Sequence, residues 1–282
     1  MTFYDPHLDH RKAQEQAHIF DADPMTSLVT VELNITELCN RKCVFCPRVD
    51  PKIYPNRNLH MHEGTVASVA SELNRLGSAA RISFSGFGEP LLHPRFVELI
   101  ATARLYTTNT IECNTNGDKL TPLKIRELFK AGLSWLYVNM YDGPEQEGPF
   151  KEMFKEAGIS RFKLRPHWIE SHGLTLNNRS GMVKNVSDGV PGRCHYPFYK
   201  MLVDWNGDVQ FCSNDWGRKI KVGNVLTQGL KEIWLSEQMK EIRLALSKGD
   251  RSRDPCNKCS VAGTLSGKPS HDLLMEFYSP RD

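Results

Sequence analysis

Between residues 28 and 166 the sequence alternates short β-branched or apolar runs with segments whose apolar residues recur at helical spacing, and that alternation leaves few folds open. Residues 28–35, LVTVELNI, predict a first strand that feeds directly into a cysteine-rich loop. After about residue 60, Val66, Val69, Ala70, Leu73 and Leu76 mark a helix that stops at Gly77. Further strands are expected at 81–85, 109–114, 136–140 and about 161–165, and further helices near 96–103, 122–131 and 145–157. Strict alternation implies parallel strands with right-handed crossovers, and a barrel or partial barrel keeps its chemistry at the carboxyl ends of its strands. The conspicuous turns all stand there. The cysteine loop follows strand one, Gly86-Phe87-Gly88-Glu89-Pro90 follows strand two, Thr115-Asn116-Gly117 strand three and Asp142-Gly143-Pro144 strand four. A doubly wound sheet would also alternate, but no G-x-G-x-x-G opens a helix after the first strand, so a dinucleotide fold is the weaker choice.

The first loop, NITELCNRKCVFCP from 34 to 47, holds Cys39, Cys43 and Cys46 as C-x3-C-x2-C. Three neighbouring thiolates can wrap one face of a cubane iron–sulfur cluster, which takes four ligands, so one iron stays open. A zinc knuckle closes its tetrahedron with four ligands, and no fourth cysteine stands beside these three; a zinc site or three unrelated thiols are the alternatives. At this spacing the array resembles the signature of the radical S-adenosylmethionine (SAM) enzymes, whose open iron chelates the amino and carboxylate groups of SAM. The resemblance implies a SAM-binding [4Fe–4S] cluster on Cys39, Cys43 and Cys46, with Phe45 against the adenine. It also implies the family's fold, α/β with a partial TIM-like (β/α)6 barrel of about six strands.

The same resemblance assigns the later turns. The family's G-G-E-P stretch after strand two holds the SAM amino group; here Phe87 replaces the second of two adjacent glycines and shifts the spacing by one, so Gly88 and Glu89 carry over more directly than Gly86. Thr115 and Asn116 match the family's T-N-G, whose side chains reach the SAM ribose or carboxylate. After strand four, where relatives often have a serine, this chain has Met140, and Asn139 beside it is the polar substitute. Ordinary loop chemistry is the competing account of each turn.

A second cysteine system follows residue 190. Cys194, Cys212, Cys256 and Cys259 are four candidate ligands, a closed set for one cluster or for a structural zinc. Between the first two, 198–211 reads as two short strands joined at Asn206-Gly207, the pair favoured in type I′ turns. Leu230, Ile233, Trp234, Met239, Ile242, Leu244 and Leu246 then predict a helix that returns the chain to the final C-x2-C. Hairpin, Gly223-Asn224, helix and C-x2-C together resemble the twitch domain, a shortened SPASM domain, and imply one auxiliary [4Fe–4S] cluster. The expected division is an arm at 1–27, the barrel at 28–190, the small hairpin-plus-helix domain at 191–262 and a tail at 263–282. Asn177-Asn178-Arg179-Ser180-Gly181 resembles an N-R-x-G motif of such enzymes, and in a dehydrogenase of the family the matching arginine lies against the substrate hydroxyl. Arg179 is therefore the candidate substrate residue, with a salt-bridged turn arginine as the bland account. Cys113, inside strand three, reads as core filling, with a hydrogen-donor thiol as the sharper alternative.

Composition adds little. With 36 basic and 33 acidic residues, a net charge of +3 provides no global field for nucleic acid or an anionic membrane. No apolar run approaches a membrane span and the first residues lack a secretory core, so a cytoplasmic protein is expected. Reducing cytosol favours metal ligation over disulfides for the eight cysteines. The arm's His7, His10 and His18 read as solvated side chains rather than a metal site. The resemblance implies a flavodoxin- or ferredoxin-like electron donor, reductive cleavage of SAM to a 5′-deoxyadenosyl radical, and hydrogen abstraction from a small, sugar-like molecule, with the auxiliary cluster accepting an electron in a dehydrogenation. Epimerisation and peptide maturation are the other enzymatic outcomes. An electron carrier or zinc-stabilised binding module is the non-enzymatic alternative, and leaves the SAM-like turns unexplained.

Overall fold

The computed structural model describes residues 23–167, 177–183, 192–261 and 267–279. Its frame is one eight-stranded sheet in the order 5-4-3-2-1-6-7-8. Strands β1 (Thr30–Leu33), β2 (Arg81–Phe84), β3 (Ile111–Thr115), β4 (Trp135–Met140) and β5 (Phe162–Pro166) pair in parallel as neighbours. Helices α1 (Glu63–Arg75), α2 (Phe96–Tyr106), α3 (Pro122–Lys130) and α4 (Glu147–Ala157) connect them. Their ends follow local chemistry. The His62 side chain accepts the Gly64 N–H at the start of α1, Thr121 caps α3 ahead of Pro122, and Gly158 stops α4 in the left-handed region at φ 72°.

Because side chains alternate across a strand, register decides what the barrel holds inside and what it shows to the helices. Val31, Leu33, Ile82, Phe84, Ile111, Leu136 and Val138 are buried in one core with helix residues such as Val69, Leu73, Ile100 and Leu128. Cys113 pairs with Phe84 and Leu136 in register and is fully buried in that same layer. The opposite face is polar. Ser83 lies between Glu32 and Glu112, and Asn139 opposite Arg165. Asn114 reaches the Ser83 hydroxyl at 3.2 Å and accepts from Arg165 at 2.5 Å.

The sixth strand arrives from beyond residue 190. After a single turn, α5 (Tyr196–Tyr199), strand β6 (Lys200–Val203) runs parallel to β1 on the side away from β2. Antiparallel β7 (Asp208–Gln210) and β8 (Lys221–Asn224) follow. The hairpin of the auxiliary region therefore extends the barrel sheet, and its apolar residues share the barrel's core. Two expectations need correction. The hairpin turn is not type I′, since Gly207 (φ 84°) but not Asn206 has positive φ; Asp204 accepts the Gly207 N–H, as in a wider turn that ends on a left-handed glycine. The single helix expected at 230–246 is two, α6 (Leu230–Trp234) and α7 (Glu237–Ser247), because the Ser236 side chain accepts the Met239 N–H and starts a new helix.

The expected tail contains helix α8 (Lys268–Tyr278), whose Tyr278 hydroxyl accepts from the buried Arg243 at 2.7 Å. His7, His10 and His18 of the expected arm lie outside the described residues. Among those described, no helix is long and apolar enough to cross a membrane.

Candidate active site

The cysteine loop leaves β1 at Leu33 and is clamped by Asn56, whose side chain accepts the Cys39 N–H at 3.0 Å and donates to the Cys39 carbonyl at 2.9 Å. The Cys46 N–H bonds the Cys43 carbonyl at 2.9 Å, closing a tight turn before Pro47. All three thiols are half-buried and none is in a disulfide. Burial pushes each upward, Cys43 to about 12, and for Cys43 the neighbouring Cys46 and Cys39 add to the shift. Such crowding disfavours three free thiolates and favours a cationic centre that neutralises them together.

Asn34, 1% exposed, holds the next loop against this one. Its Oδ1 accepts the Phe87 and Gly88 N–H groups at 2.8 and 3.1 Å, while its Nδ2 donates to Glu37 at 3.0 Å and Asp204 at 2.7 Å. The approach demands glycine. A Cβ on Gly88 would lie 2.0 Å from the Thr36 carbonyl oxygen, and one on Gly86 (φ 141°) 2.8 Å from the Asn34 Cβ. Gly88→Ala must therefore push the two loops apart, at a cost of about 1–3 kcal/mol. The expected outcome is a lower melting temperature together with at least about tenfold weaker SAM binding at equilibrium, a loss of about 1.4 kcal/mol. An alanine variant that melts and binds like the wild type would exclude this close approach.

Glu89 sits behind Gly88, 3% exposed, and burial pushes its carboxyl up to about 7. It accepts from the Thr115 hydroxyl at 2.6 Å and from the Asn116 and Leu91 N–H groups at 2.8 and 3.1 Å. The Thr115 hydroxyl is thus engaged inside the protein, and it also accepts the Gly117 N–H at 3.0 Å. The Asn116 side chain donates to Asn40 of the cysteine loop at 2.9 Å. Arg41 ties that loop down further, with two hydrogen bonds each to Asp118 after β3 and Asp142 after β4 at 2.5–2.7 Å. Arg41 was not legible as a site residue, although its place between the first two cysteines was the signal that could have found it.

An aromatic wall closes the mouth. Phe45 lies 5.7 Å from Tyr141, which stacks on His167 at 5.4 Å, and Asn139 reaches His167 Nε2 at 3.0 Å. Arg179 faces this wall. Its Nε and Nη1 make long contacts, 3.4 Å each, with the Phe45 carbonyl and the Asn214 side chain. Arg179 (φ 48°), Ser180 (φ 56°) and Gly181 (φ 84°) are three consecutive left-handed residues, a strained path that Asn177 supports by accepting the Arg179 N–H at 2.7 Å.

The four later cysteines meet. Cys194, Cys212, Cys256 and Cys259 line one cavity with Phe211 and Leu246, about 20 Å³ in volume. Burial raises Cys194, Cys212 and Cys256, the last to about 12, and each is raised further by one or more of the other cavity cysteines. Asn178 bonds the N–H of Ser260 at 3.0 Å and the carbonyl of Lys258 at 2.6 Å, fastening the Arg179 turn to the last cysteine pair. Among the described residues no three His, Cys, Asp or Glu side chains converge closely enough to hold a single ion. Tetrahedral zinc would need its sulfurs within about 3.8 Å of one another.

Phe87, the departure from the G-G-E-P pattern, packs 4.7 Å from Trp216 and 6.3 Å from Tyr54. This small core, completed by Leu202, joins the loop after β2 to the auxiliary region.

Comparison with known proteins agrees with this geometry. The model of the radical SAM superfamily matches residues 33–176 and that of the SPASM iron–sulfur cluster-binding domain residues 194–260. The S-adenosyl-L-methionine-dependent 2-deoxy-scyllo-inosamine dehydrogenase of Niallia circulans is 27% identical over 243 residues, 84% of this chain and 94% of that protein. A GTP 3′,8-cyclase of Marinobacter nauticus is 31% identical over 110 residues, 39% of this chain and 32% of the cyclase. Among solved structures, BtrN in complex with AdoMet and 2-DOIA superposes with a TM-score of 0.72 at 24% identity, covering 85% of this chain and 96% of that one. A cysteine loop at the mouth of a partial barrel and a four-cysteine cavity behind it thus coincide with two matched families: the chain belongs to the radical SAM superfamily and carries a SPASM/twitch-type auxiliary iron–sulfur domain.

Proposed function

We propose that this enzyme dehydrogenates a small, hydroxyl-bearing, carbohydrate-like substrate held at the barrel mouth. The observation that carries the reading is the position of Arg179, whose guanidinium lies between the Phe45 carbonyl of the first cysteine loop and Asn214, two residues from Cys212. With [4Fe–4S] clusters on Cys39, Cys43 and Cys46 and on Cys194, Cys212, Cys256 and Cys259, the first would support reductive cleavage of SAM to a 5′-deoxyadenosyl radical that abstracts hydrogen, and the second could take up an electron. The four thiols line one cavity, the arrangement that a shared four-thiolate cluster needs.

The chain's own residues then have distinct tasks. Phe45, Tyr141 and His167 offer flat surfaces for adenine, with Asn139 fixing the His167 ring. Gly88 admits the loop after β2 to the SAM site, and Glu89, oriented by Thr115 and the Asn116 N–H, is the carboxyl for the SAM amino group. Arg179, with only long contacts of its own, donates to a substrate hydroxyl. Epimerisation finds little support in Cys113, which is fully buried in the helix-facing layer.

Anaerobic reconstitution tests the pair of clusters. About eight irons per chain are expected from two cubanes, and about four irons with one zinc would refute the auxiliary cluster. Once a substrate is found, a dehydrogenation yields a product two hydrogens lighter. A product of unchanged mass carrying solvent deuterium would put epimerisation in its place.

A further inference from the structure

Besides its thiols, the four-cysteine cavity has one charged side chain in its wall among the described residues, and it is a cation. Arg251, 8% exposed, donates only to carbonyls: Nε to Gly192 at 2.8 Å, Nη1 to Val261 at 2.6 Å and Nη2 to Arg193 at 3.3 Å. These bonds tie the segment before Cys194 to the segment after Cys259, and no carboxylate among the described residues pairs with the guanidinium. A buried cation without an anion is costly, and thiolates in the cavity supply the missing charge. Against the burial that pushes Cys194 and Cys256 upward, Arg251 pulls both down. Asp215 also acts on Cys256, but its carboxylate does not line the cavity and accepts the Lys219 and Ile220 N–H groups at 3.0 and 2.9 Å.

Asn214, 4% exposed, is a second polar group in this wall, with its N–H and its Nδ2 at 3.4 and 3.9 Å from the Cys212 sulfur. The direction of its amide is fixed from the far end. The Arg179 N–H can only donate, and does so to Asn177 Oδ1 at 2.7 Å; Asn177 Nδ2 then donates to Asn214 Oδ1 at 2.8 Å, and Arg179 Nη1 reaches the same oxygen at 3.4 Å. Asn214 Nδ2 is left to face the sulfur. A buried cation and N–H groups on a ligand sulfur both stabilise the more negative, reduced state of an iron–sulfur cluster. We propose that Arg251 and Asn214 hold the auxiliary cluster at a raised reduction potential, and that the Arg179 turn, through Asn177, keeps the Asn214 amide in the orientation that does so. The proposal rests on the functional reading above, which puts a cluster on these four cysteines and an electron into it. Arg251 and Asn214 are positioning residues that act through the cysteines, and one hydrogen-bond chain joins the substrate residue to the electron acceptor.

The test is an anaerobic redox titration of the reconstituted full-length protein, followed by electron paramagnetic resonance, with added SAM to mark the signal of the first cluster. Arg251→Met is expected to lower the auxiliary potential by about 59 mV, a tenfold change in a one-electron equilibrium, and Arg251→Lys, which keeps the charge, to restore most of it. Asn214→Leu should shift the same equilibrium by about threefold. The potential of the first cluster should hold in all three, which a general loosening of the fold would not allow. Asn177→Asp still accepts the Arg179 N–H but cannot donate to Asn214, so it turns the Asn214 amide round. It should therefore lower the auxiliary potential more in the wild type than in Asn214→Leu, where only its charge acts. Should Arg251→Met not hold the second cluster, Asn214→Leu and Asn177→Asp, which keep the guanidinium, decide the matter. Wild-type auxiliary potentials in variants that carry about eight irons, or an Arg251→Lys potential as low as that of Arg251→Met, would overturn the proposal and leave the functional reading standing. A wild type that takes up about four irons and one zinc would remove the reading itself.

Discussion

Cys43→Ala is expected to abolish 5′-deoxyadenosine formation under dithionite, a loss of at least about a thousandfold on the scale by which enzymes exceed uncatalysed rates. The reason is arithmetic of ligands. A cubane with three protein thiolates and one open iron has no ligand to spare, so removal of any of Cys39, Cys43 or Cys46 leaves the cluster undercoordinated. Unfolding does not confuse the result, since Cys43 is only half-buried and its loop is held by Asn56 and Arg41 rather than by the thiol itself. Circular dichroism should therefore match the wild type, while the iron content of the first site drops. Cleavage that persists in the alanine variant would refute the assignment of this loop.

Arg218→Leu should destabilise the protein by about 3–5 kcal/mol, the scale of breaking a buried ion pair, and lower its melting temperature by about 10 °C. Arg218 comes from the turn after the auxiliary hairpin and hydrogen-bonds Asp204, the Tyr54 hydroxyl and Glu37, the last at 2.5 Å. The Glu37 and Asp204 side chains are 4% and 2% exposed, so removal of the guanidinium strands two carboxylates in a poorly solvated place. Arg218 also holds a left-handed backbone (φ 51°), a strain of about 1–2 kcal/mol that its hydrogen bonds offset. Adding Glu37→Gln and Asp204→Asn to the leucine variant should restore part of the loss, because amides tolerate the missing charge. A leucine variant that melts within a degree or two of the wild type would show that this cluster does not hold the cysteine loop to the auxiliary region. Its position gives the prediction a functional edge. Glu37 lies two residues before Cys39, and Asp204 belongs to the hairpin that leads to Cys212, so a loosened cluster alters the relation between the two cysteine sites.

What could be read from the sequence was whatever depends on neighbours along the chain. Alternation of strand and helix from 28 to 166, helix ends at Gly77 and Pro122, and the parallel order of five strands follow from local propensity and short crossovers, and the structure has them. Five of the cysteines could be singled out for the same reason, since C-x3-C-x2-C and C-x2-C are spacings within a turn or two, while Cys194 and Cys212 stand apart and joined them through the expected hairpin. Pairing across long separations was not legible. No periodicity announces that β6 will lie against β1, that Arg218 will reach Glu37, or that Phe87 will fill a core with Trp216. The hairpin turn differs from the expected type because Asn-Gly is only a preference: the Gly207 N–H closes the turn on the Asp204 carbonyl, and the Asp204 side chain is engaged by Asn34 and Arg218, partners distant in sequence. The predicted helix at 230–246 divides because one serine hydroxyl near its middle satisfies a backbone N–H locally, a competition that apolar spacing cannot register. Local chemistry, then, was written in the sequence; the joining of the first cysteine loop to the auxiliary region was decided only when buried charges and aromatic rings from residues 34 to 218 had to satisfy one another in the same small volume.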